Sequence, residues 1–551
     1  MLWPTVAGEG EYDAICVGAG INGLVAAAAL ARAGWRVCVL ERGDTLGGAI
    51  RTADLTVPGY HHDVFSGWHP LFTGSPAYAS LATDLGARGL TYLNTEHPTA
   101  TVQPDGTSSH LATDRRANLA EFAARAPEDG DAWSAGAEEL LGDADLTLGI
   151  LGTELWSRRG LALARRAWRR KGSAGTLAFG GDLLQTARTW LTQRFRSPGI
   201  HALLAPWVLH AGVGPDDATS GYLLRVIAAA LEMGGMPVPQ GGGARLVDAL
   251  AGLITDHGGD LEVGTDVERV VVEGGRATGV RLASGAKVRA RRAVLCSVTP
   301  AQLYLRLLDR AHVPPELRVR AERFRQGRAC MVVHLALSEP PRWQGDERLA
   351  RTAVVHLTSG LDGTARAVAE AERGLLPAEA TIVCGQPMAV DPSRGPEGGW
   401  ILWLQLQELP ARPQGDAAGE LDVSNGWTEA LREAYADRVQ RRVAAHVPNL
   451  EGALRGRAVL SPADLERANR NLVGGDPYGG ACTVDQSFLW RPLPGRPGHT
   501  TPVRGLYHIG ASTHPGPGLG AGSGWLVSQE LLRPGLPGRV RGALRLERSP
   551  R

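Results

Sequence analysis

Apolar residues gather near the start of the chain in an unbroken run at 14–17, preceded by Tyr12-Asp13, and again at 37–40 after Arg36. Runs of this kind, without polar alternation, predict strands buried on both faces. The stretch between them is rich in alanine and leucine and holds no proline, which predicts a helix and hence a strand–helix–strand unit. From 115 to 233 apolar positions recur three and four apart, most clearly through 183–195 and 223–231, and this stretch is expected to be largely helical. A glycine turn at 241–243 opens a further helix, 246–254. Alternation with period two follows at 266–273 and 277–282, two strands joined at Gly274-Gly275, ahead of a buried strand at 293–297. Strand-like runs at 330–338, 380–385 and 400–407 predict a second layer. Residues 505–533 read as a short apolar strand, a loop dense in glycine and proline, and a helix.

The turn after the first strand is Gly18-Ala19-Gly20-Ile21-Asn22-Gly23, and its glycines have separate roles. Gly18 permits the tight turn, Gly20 leaves room for a diphosphate against the backbone, and Gly23 lets the helix lie close on the sheet. The helix that starts near Ile21 aims free N–H groups and its positive dipole end at phosphate. The second strand ends in Glu41, eighteen residues past Gly23, where a carboxylate can accept both hydroxyls of an adenosine ribose. Together these features make a dinucleotide cradle. A further pair, Gly47-Gly48, lets the chain pass close to a cofactor, and Arg51 beyond it can neutralise diphosphate charge. NAD-binding units do not usually need this second glycine turn. The late Gly/Pro loop also leads into a helix N-terminus, which suits the negative charge that a flavin develops at N1 and O2 on reduction.

A chain of 551 residues fits two or three domains. With 43% apolar residues, 21% charged and a net charge of +1, it has no bias toward polyanions, and nucleic acid is not an expected partner. Lysine occurs only at 171 and 287 against an abundance of arginine, the skew of a GC-rich coding genome, which points to a bacterium. Cys16, Cys38, Cys296, Cys330, Cys384 and Cys482 lie far apart with no C-x-x-C pair, so buried free thiols are expected and no metal site. The N-terminus carries acidic residues and no apolar signal core, and no apolar run approaches the ~18 residues of a membrane span, so the cytoplasm is the expected location.

In this order the motifs resemble the phytoene-dehydrogenase-like branch of the FAD-dependent amine-oxidase and carotenoid-desaturase superfamily. The resemblance is carried by residues 18–23, Glu41-Arg42, Gly47-Gly48, 58–63, 237–242, 461–466, 474–477, Arg491-Pro492 and 510–520. It implies an α/β fold: a discontinuous Rossmann-like FAD-binding domain of the glutathione-reductase type with an inserted α+β substrate domain. The FAD-binding parts would be 1–90, 235–300 and 491–536, the substrate domain a helical insertion at 91–234 together with 301–490, and 537–551 a basic tail expected to fray. FAD would then be held by Gly18, Ala19, Gly20, Ile21, Asn22, Gly23, Glu41, Arg42, Gly47, Gly48, Arg51, the backbone of Val267, Gly510, Ala511, Gly518 and Leu519. The active site would lie where the two domains meet.

The resemblance implies an oxidoreductase that dehydrogenates a small, largely apolar metabolite by hydride transfer to flavin N5, through C–C desaturation or alcohol- or amine-type oxidation, and passes electrons to oxygen or a quinone. A base can take the second proton, and His62, His69 and His514 are the candidates, with His61 and Asp63 beside them. Histidines near Gly-Pro loops also serve as hydrogen-bonding struts. His62 and Asp63 are adjacent, so in extended chain they face opposite ways and make no dyad. No helical histidine pair or cysteine partner supports a metal. The basic segment 156–171, with tryptophans near both ends, can lie on an anionic bilayer. Arg165 falls beside Leu161, Ala164 and Trp168 on the wheel and interrupts the stripe, so a solvated helix over the substrate domain is the stronger expectation. Two other readings stay open: a redox-neutral flavin-dependent isomerase or cyclase, and a flavin-binding protein without catalysis.

Overall fold

The computed structural model describes residues 10–533. The tail expected at 537–551 lies outside the described residues. The first unit is β1 (Glu11–Val17), α1 (Ile21–Arg32) and β2 (Val37–Leu40), followed by the hairpin of β3 (Thr52–Asp54) and β4 (His61–Asp63). The chain then contributes β5 (Thr99–Val102) and β6 (Ser108–Leu111) to a second layer before entering the helical stretch that includes α2 (Arg158–Leu184) and α3 (Ser220–Gly234). It returns through α4 (Ala244–Asp256), β7 (Asp260–Glu262), β8 (Val267–Glu273), β9 (Arg276–Leu282) and β10 (Lys287–Ser297). The second layer is completed by β11 (Ala329–Leu337), β12 (Val354–Leu357), β13 (Ile382–Gly385), β14 (Trp400–Leu409), α5 (Glu429–Ala444) and β15 (Leu454–Leu460). The final strand β16 (Leu506–Ile509) and helix α6 (Gly522–Leu531) rejoin the first.

The first sheet runs β8-β9-β10-β1-β2-β7, with β16 paired to the second half of β10. Its centre is parallel: Ile15 faces Cys38 of β2 and Val294 of β10, and Leu295 faces Tyr507 of β16. β10 is long enough to serve two partners, since its first half pairs antiparallel with β9 at Arg289↔Gly279. β1 therefore has β2 on one side and β10 on the other, and the crevice at its carboxyl end is where such a sheet binds ligands. Ten of the twelve residues of α1 are buried, half of them alanine, and these small side chains let the helix sit close between the sheet, α4 and α6.

The second sheet runs β15-β11-β14-β13-β12-β5-β6, mostly antiparallel, with β12 and β5 parallel at Val355↔Ala100. Leu335, Val355 and Leu404 pack under Tyr435 and Val439 of α5. The opposite face, with Val332, Val354, Val383 and Trp403, meets Leu203, Trp207 and Trp190 of the helical insertion. The inserted segment is therefore not wholly helical: β5 and β6, joined around Gly106 at φ 83°, belong to this sheet. The helix expected through 183–195 is two helices. The Thr186 hydroxyl accepts from Thr189 N–H and starts a new helix, Ala187–Arg194, two residues after α2 ends. All six cysteines are buried and unbridged.

Candidate functional site

The crevice at the end of β1 is shaped for a diphosphate. Gly18 takes φ 95° as the strand turns, and a Cβ on Gly23 would stand 2.2 Å from the Gly18 carbonyl oxygen, so only glycine lets α1 start here. A Cβ on Gly20, in contrast, would meet nothing within 4 Å, and Gly20 caps α1 with no side-chain hydrogen bond to its first N–H groups. The helix end thus offers unclaimed donors beside open space, the arrangement that binds phosphate. Glu41 lies next to it, half-buried, with Oε2 accepting from Ala19 N–H at 2.9 Å and Oε1 from Gly43 N–H at 2.8 Å. The Glu41 carbonyl accepts from Thr265 N–H, which brings Val267 and the start of β8 to the ribose end, where the Val267 carbonyl also accepts from Arg306. Gly47 donates to the Ala19 carbonyl at 2.9 Å, Arg51 is half-buried, and Arg42 is exposed.

Five hundred residues later the chain closes on the same crevice. Gly524 N–H donates to Asn22 Oδ1 at 3.1 Å, and a Cβ on Gly524 would be 1.9 Å from the Asn22 carbonyl oxygen, so α6 touches α1 backbone to backbone. The loop before α6 is braced by Ser523, whose hydroxyl accepts from Gly510 N–H and bonds Thr513 at 2.6 Å. Leu519 and Ala521 take φ 61° and 57°, Gly518 takes 109°, and Ala521 begins α6 without a side-chain cap. Both glycine-rich pieces thus present uncapped helix starts, and these residues would fit a dinucleotide such as FAD, with the start of α1 available to its diphosphate.

Arg491 sits behind this loop, 2% exposed, donating to the Ala511 carbonyl at 2.8 Å and the Tyr478 carbonyl at 2.7 Å. Tyr478 follows Asp476, whose carboxylate accepts from Gly327, Tyr478 and Gly480 N–H groups, each at 2.7 Å; burial nevertheless pushes this carboxyl up. The Tyr478 hydroxyl donates to the Leu209 carbonyl, and Tyr478 and Cys482 pack with Trp207 and Trp403 in one cluster that Trp68 borders. Sequence reasoning gave 474–477 and Arg491-Pro492 only as points of resemblance; the structure shows them carrying the loop. Trp68, Trp207 and Trp403 carried no motif, and lie together only through the pairing of β13 with β14 and the packing of the insertion.

The candidate histidines occupy three places. His62 is tied to Thr56 Oγ1 at 2.7 Å and edges His334 at 5.1 Å, and burial pushes it down to about 4. His69 shares a hydrogen bond with the Tyr92 hydroxyl at 3.0 Å; burial holds it also at about 4, and its Nε2 has no protein partner. His514 is 1% exposed in the late loop, neither ring nitrogen has a hydrogen-bond partner, and burial lowers it to about 4. All three are neutral at pH 7. His61 is exposed and pairs with Asp54 at 2.7 Å. Asp63 faces away from His62, bonded to Thr52, Gly243 N–H and Arg394.

Of the segment 156–171, residues 158–171 form one helix, capped by Ser157. Trp156 precedes α2, with its indole N–H on the Leu489 carbonyl at 2.5 Å, and α2 runs on to Leu184 with a break at Gly172, φ 68°. Leu161 and Trp168 are exposed, while Arg170 and Lys171 pair with acids at 143 and 145. Among the described residues no helix is long and apolar enough to cross a membrane, and no cluster of three metal-ligating side chains occurs.

Comparison with known proteins agrees with this geometry. Residues 21–371 match the family model for flavin-containing amine oxidoreductases. A pyridine nucleotide-disulfide oxidoreductase domain-containing protein 2 of Mus musculus is 30% identical over 95% of this chain and 94% of its own. The neurosporene-forming phytoene desaturase of Cereibacter sphaeroides is 26% identical over 99% of each chain. Among solved structures, an oxidoreductase from Methanosarcina mazei shares the fold at TM-score 0.58 and 16% identity, over 94% of this chain and 99% of that one.

Proposed function

Because the chain belongs to the flavin-containing amine oxidoreductase family, we propose that it is a dehydrogenase that uses FAD to remove two hydrogens from a small, largely apolar molecule, across a C–C bond or from an alcohol. FAD when bound would supply the acceptor for a hydride, which carries both electrons, while the second hydrogen leaves as a proton. The chain itself holds the cofactor through α1, Glu41 and the 510–520 loop, orients the substrate and excludes water. The observation that carries the substrate reading is the neutral aromatic wall behind that loop. Trp68, Trp207, Trp403 and Tyr478 pack together in it, Asp476 has its oxygens engaged by backbone N–H groups, and His514 is uncharged at neutral pH. Such a wall favours apolar surface and offers no carboxylate to a cationic amine. His514 in this reading would act as a weak neutral base that takes a proton or a hydrogen bond from substrate. The name of the Cereibacter sphaeroides relative speaks for the same type of reaction.

Anaerobic mixing of the FAD-loaded protein with candidate substrates tests this. Polyenes or terpenoid alcohols should bleach the flavin absorbance, and primary amines should leave it unchanged. A product of unchanged mass, formed only after the flavin is reduced beforehand, would replace the dehydrogenase with an isomerase or cyclase.

A further inference from the structure

Glu154 and His499 meet across 345 residues, one from the helical insertion and one from the strand-side of the late loop, with Oε2 2.6 Å from Nδ1. The other ring nitrogen, Nε2, lies 2.9 Å from the carbonyl oxygen of His514. His499 is 3% exposed and its own carbonyl accepts from His508 N–H at 2.8 Å, so the ring is held from behind by β16. These distances fix a proton count. A carbonyl oxygen only accepts, so Nε2 carries a hydrogen; a neutral imidazole would then turn a bare Nδ1 lone pair toward the Glu154 carboxylate. The contact is attractive only if one more proton lies between the two groups, as imidazolium against carboxylate.

We propose that Glu154 and His499 form a proton-bound bridge that positions the His514 carbonyl, and with it the loop that receives the flavin end of FAD, so that cofactor retention depends on pH. The other charged or titratable groups facing the bridge do not supply that proton. His514 and His508 are buried and held neutral, and Arg491 is engaged by the Tyr478 and Ala511 carbonyls. Burial works to raise the Glu154 carboxyl, but the hydrogen bond and charge of His499 and the hydrogen bond from Trp156 N–H, among its neighbours, together hold it below its ordinary value. The closed bridge holds one proton more than the open form with a neutral imidazole, so rising pH favours opening.

FAD binding measured by flavin fluorescence between pH 6 and 10 tests the bridge. The wild type should lose affinity on the alkaline side, approaching about tenfold per pH unit once the proton is lost. Glu154→Gln should abolish that dependence while retaining FAD, because an amide N–H can donate to Nδ1 of neutral His499 and keep the contact without the extra proton. His499→Phe should weaken binding by a similar factor at every pH. A wild type with no alkaline loss, or a Glu154→Gln protein with the same loss as the wild type, overturns the proposal. Thermal unfolding of the FAD-free proteins over the same range gives a second reading. The wild-type melting temperature should fall relative to Glu154→Gln as pH rises, and parallel curves would count against the bridge.

Discussion

A methyl group added at Gly20 meets no protein atom within 4 Å, whereas one added at Gly23 lies 2.2 Å from the Gly18 carbonyl oxygen. Two glycines of one motif thus answer to different constraints, the first to the ligand and the second to the fold. Gly20→Ala should leave the denaturation midpoint of the FAD-free protein unchanged and abolish copurification of FAD. Gly23→Ala should lower that midpoint by about 1–3 kcal/mol of stability, the usual cost of overpacking. Urea unfolding with and without FAD separates the two, and a Gly20→Ala protein that purifies yellow would remove the diphosphate from this position. The residue scale is also where the sequence was most legible. Glycine spacing reports backbone approach directly, and Glu41 reports the strand end, since both are local. What a histidine touches is often not local, and the tie of His499 to Glu154, 345 residues away, depends on the packed molecule.

Between elements, the joint of the two layers is a buried ionic chain. Arg394 is fully buried and bonds Asp63 on β4 at 2.7 Å and Asp391 at 2.8 Å, while Asp391 accepts from Gly241 N–H and Asp63 from Gly243 N–H. The hairpin beside the cradle, the return loop into α4 and the turn after β13 are thereby tied at one point. Burial alone would raise the Asp391 carboxyl, but Ser393, Gly241 and Arg394 outweigh it and hold it below its ordinary value. Arg394→Met would leave two like charges buried without a counter-ion and should cost about 3–5 kcal/mol. Replacing all three charges together, with Asp63→Asn and Asp391→Asn, should recover part of that loss. A single Arg394→Met variant that unfolds at the wild-type urea concentration would show that the joint is held by apolar packing. The elements themselves were legible in proportion to their periodicity. β1, β2, β8, β9 and the buried runs of β11, β13 and β14 follow the expected ranges, whereas β7 was not expected and β10 starts at Lys287, ahead of the run expected at 293–297. β5 and β6 lie ahead of the stretch where helical spacing starts at 115, in a part of the assigned helical insertion given no strand, although Asp105-Gly106 marks their turn. The helix break at Thr186 was overridden in the pattern by apolar residues that continue across it.

On the scale of the whole molecule, the cradle exists only because the last described helix returns to the first. α6 packs on α1 through Gly524 and Asn22, and β16 extends the sheet that β1 centres, so the two uncapped helix starts face one crevice from opposite ends of the chain. Their repeated glycine signature was readable in the sequence, but their meeting was inferred by resemblance, because no local pattern records a contact between residues 502 apart. A ligand held by both should tighten both. At a hundredfold excess over its dissociation constant, FAD should stabilise the fold by about 2.7 kcal/mol by mass action. Amide hydrogen exchange should then slow together at 18–24 and at 510–524. Gly524→Ala places a Cβ 1.9 Å from the Asn22 carbonyl oxygen and forces the helices apart. It should therefore remove the FAD-dependent protection at both segments at once while leaving the second sheet, around β11 and β14, exchanging as before. Protection by FAD confined to 18–24 would mean that the late loop does not hold the cofactor, and the neutral wall behind it would lose its claim to the substrate.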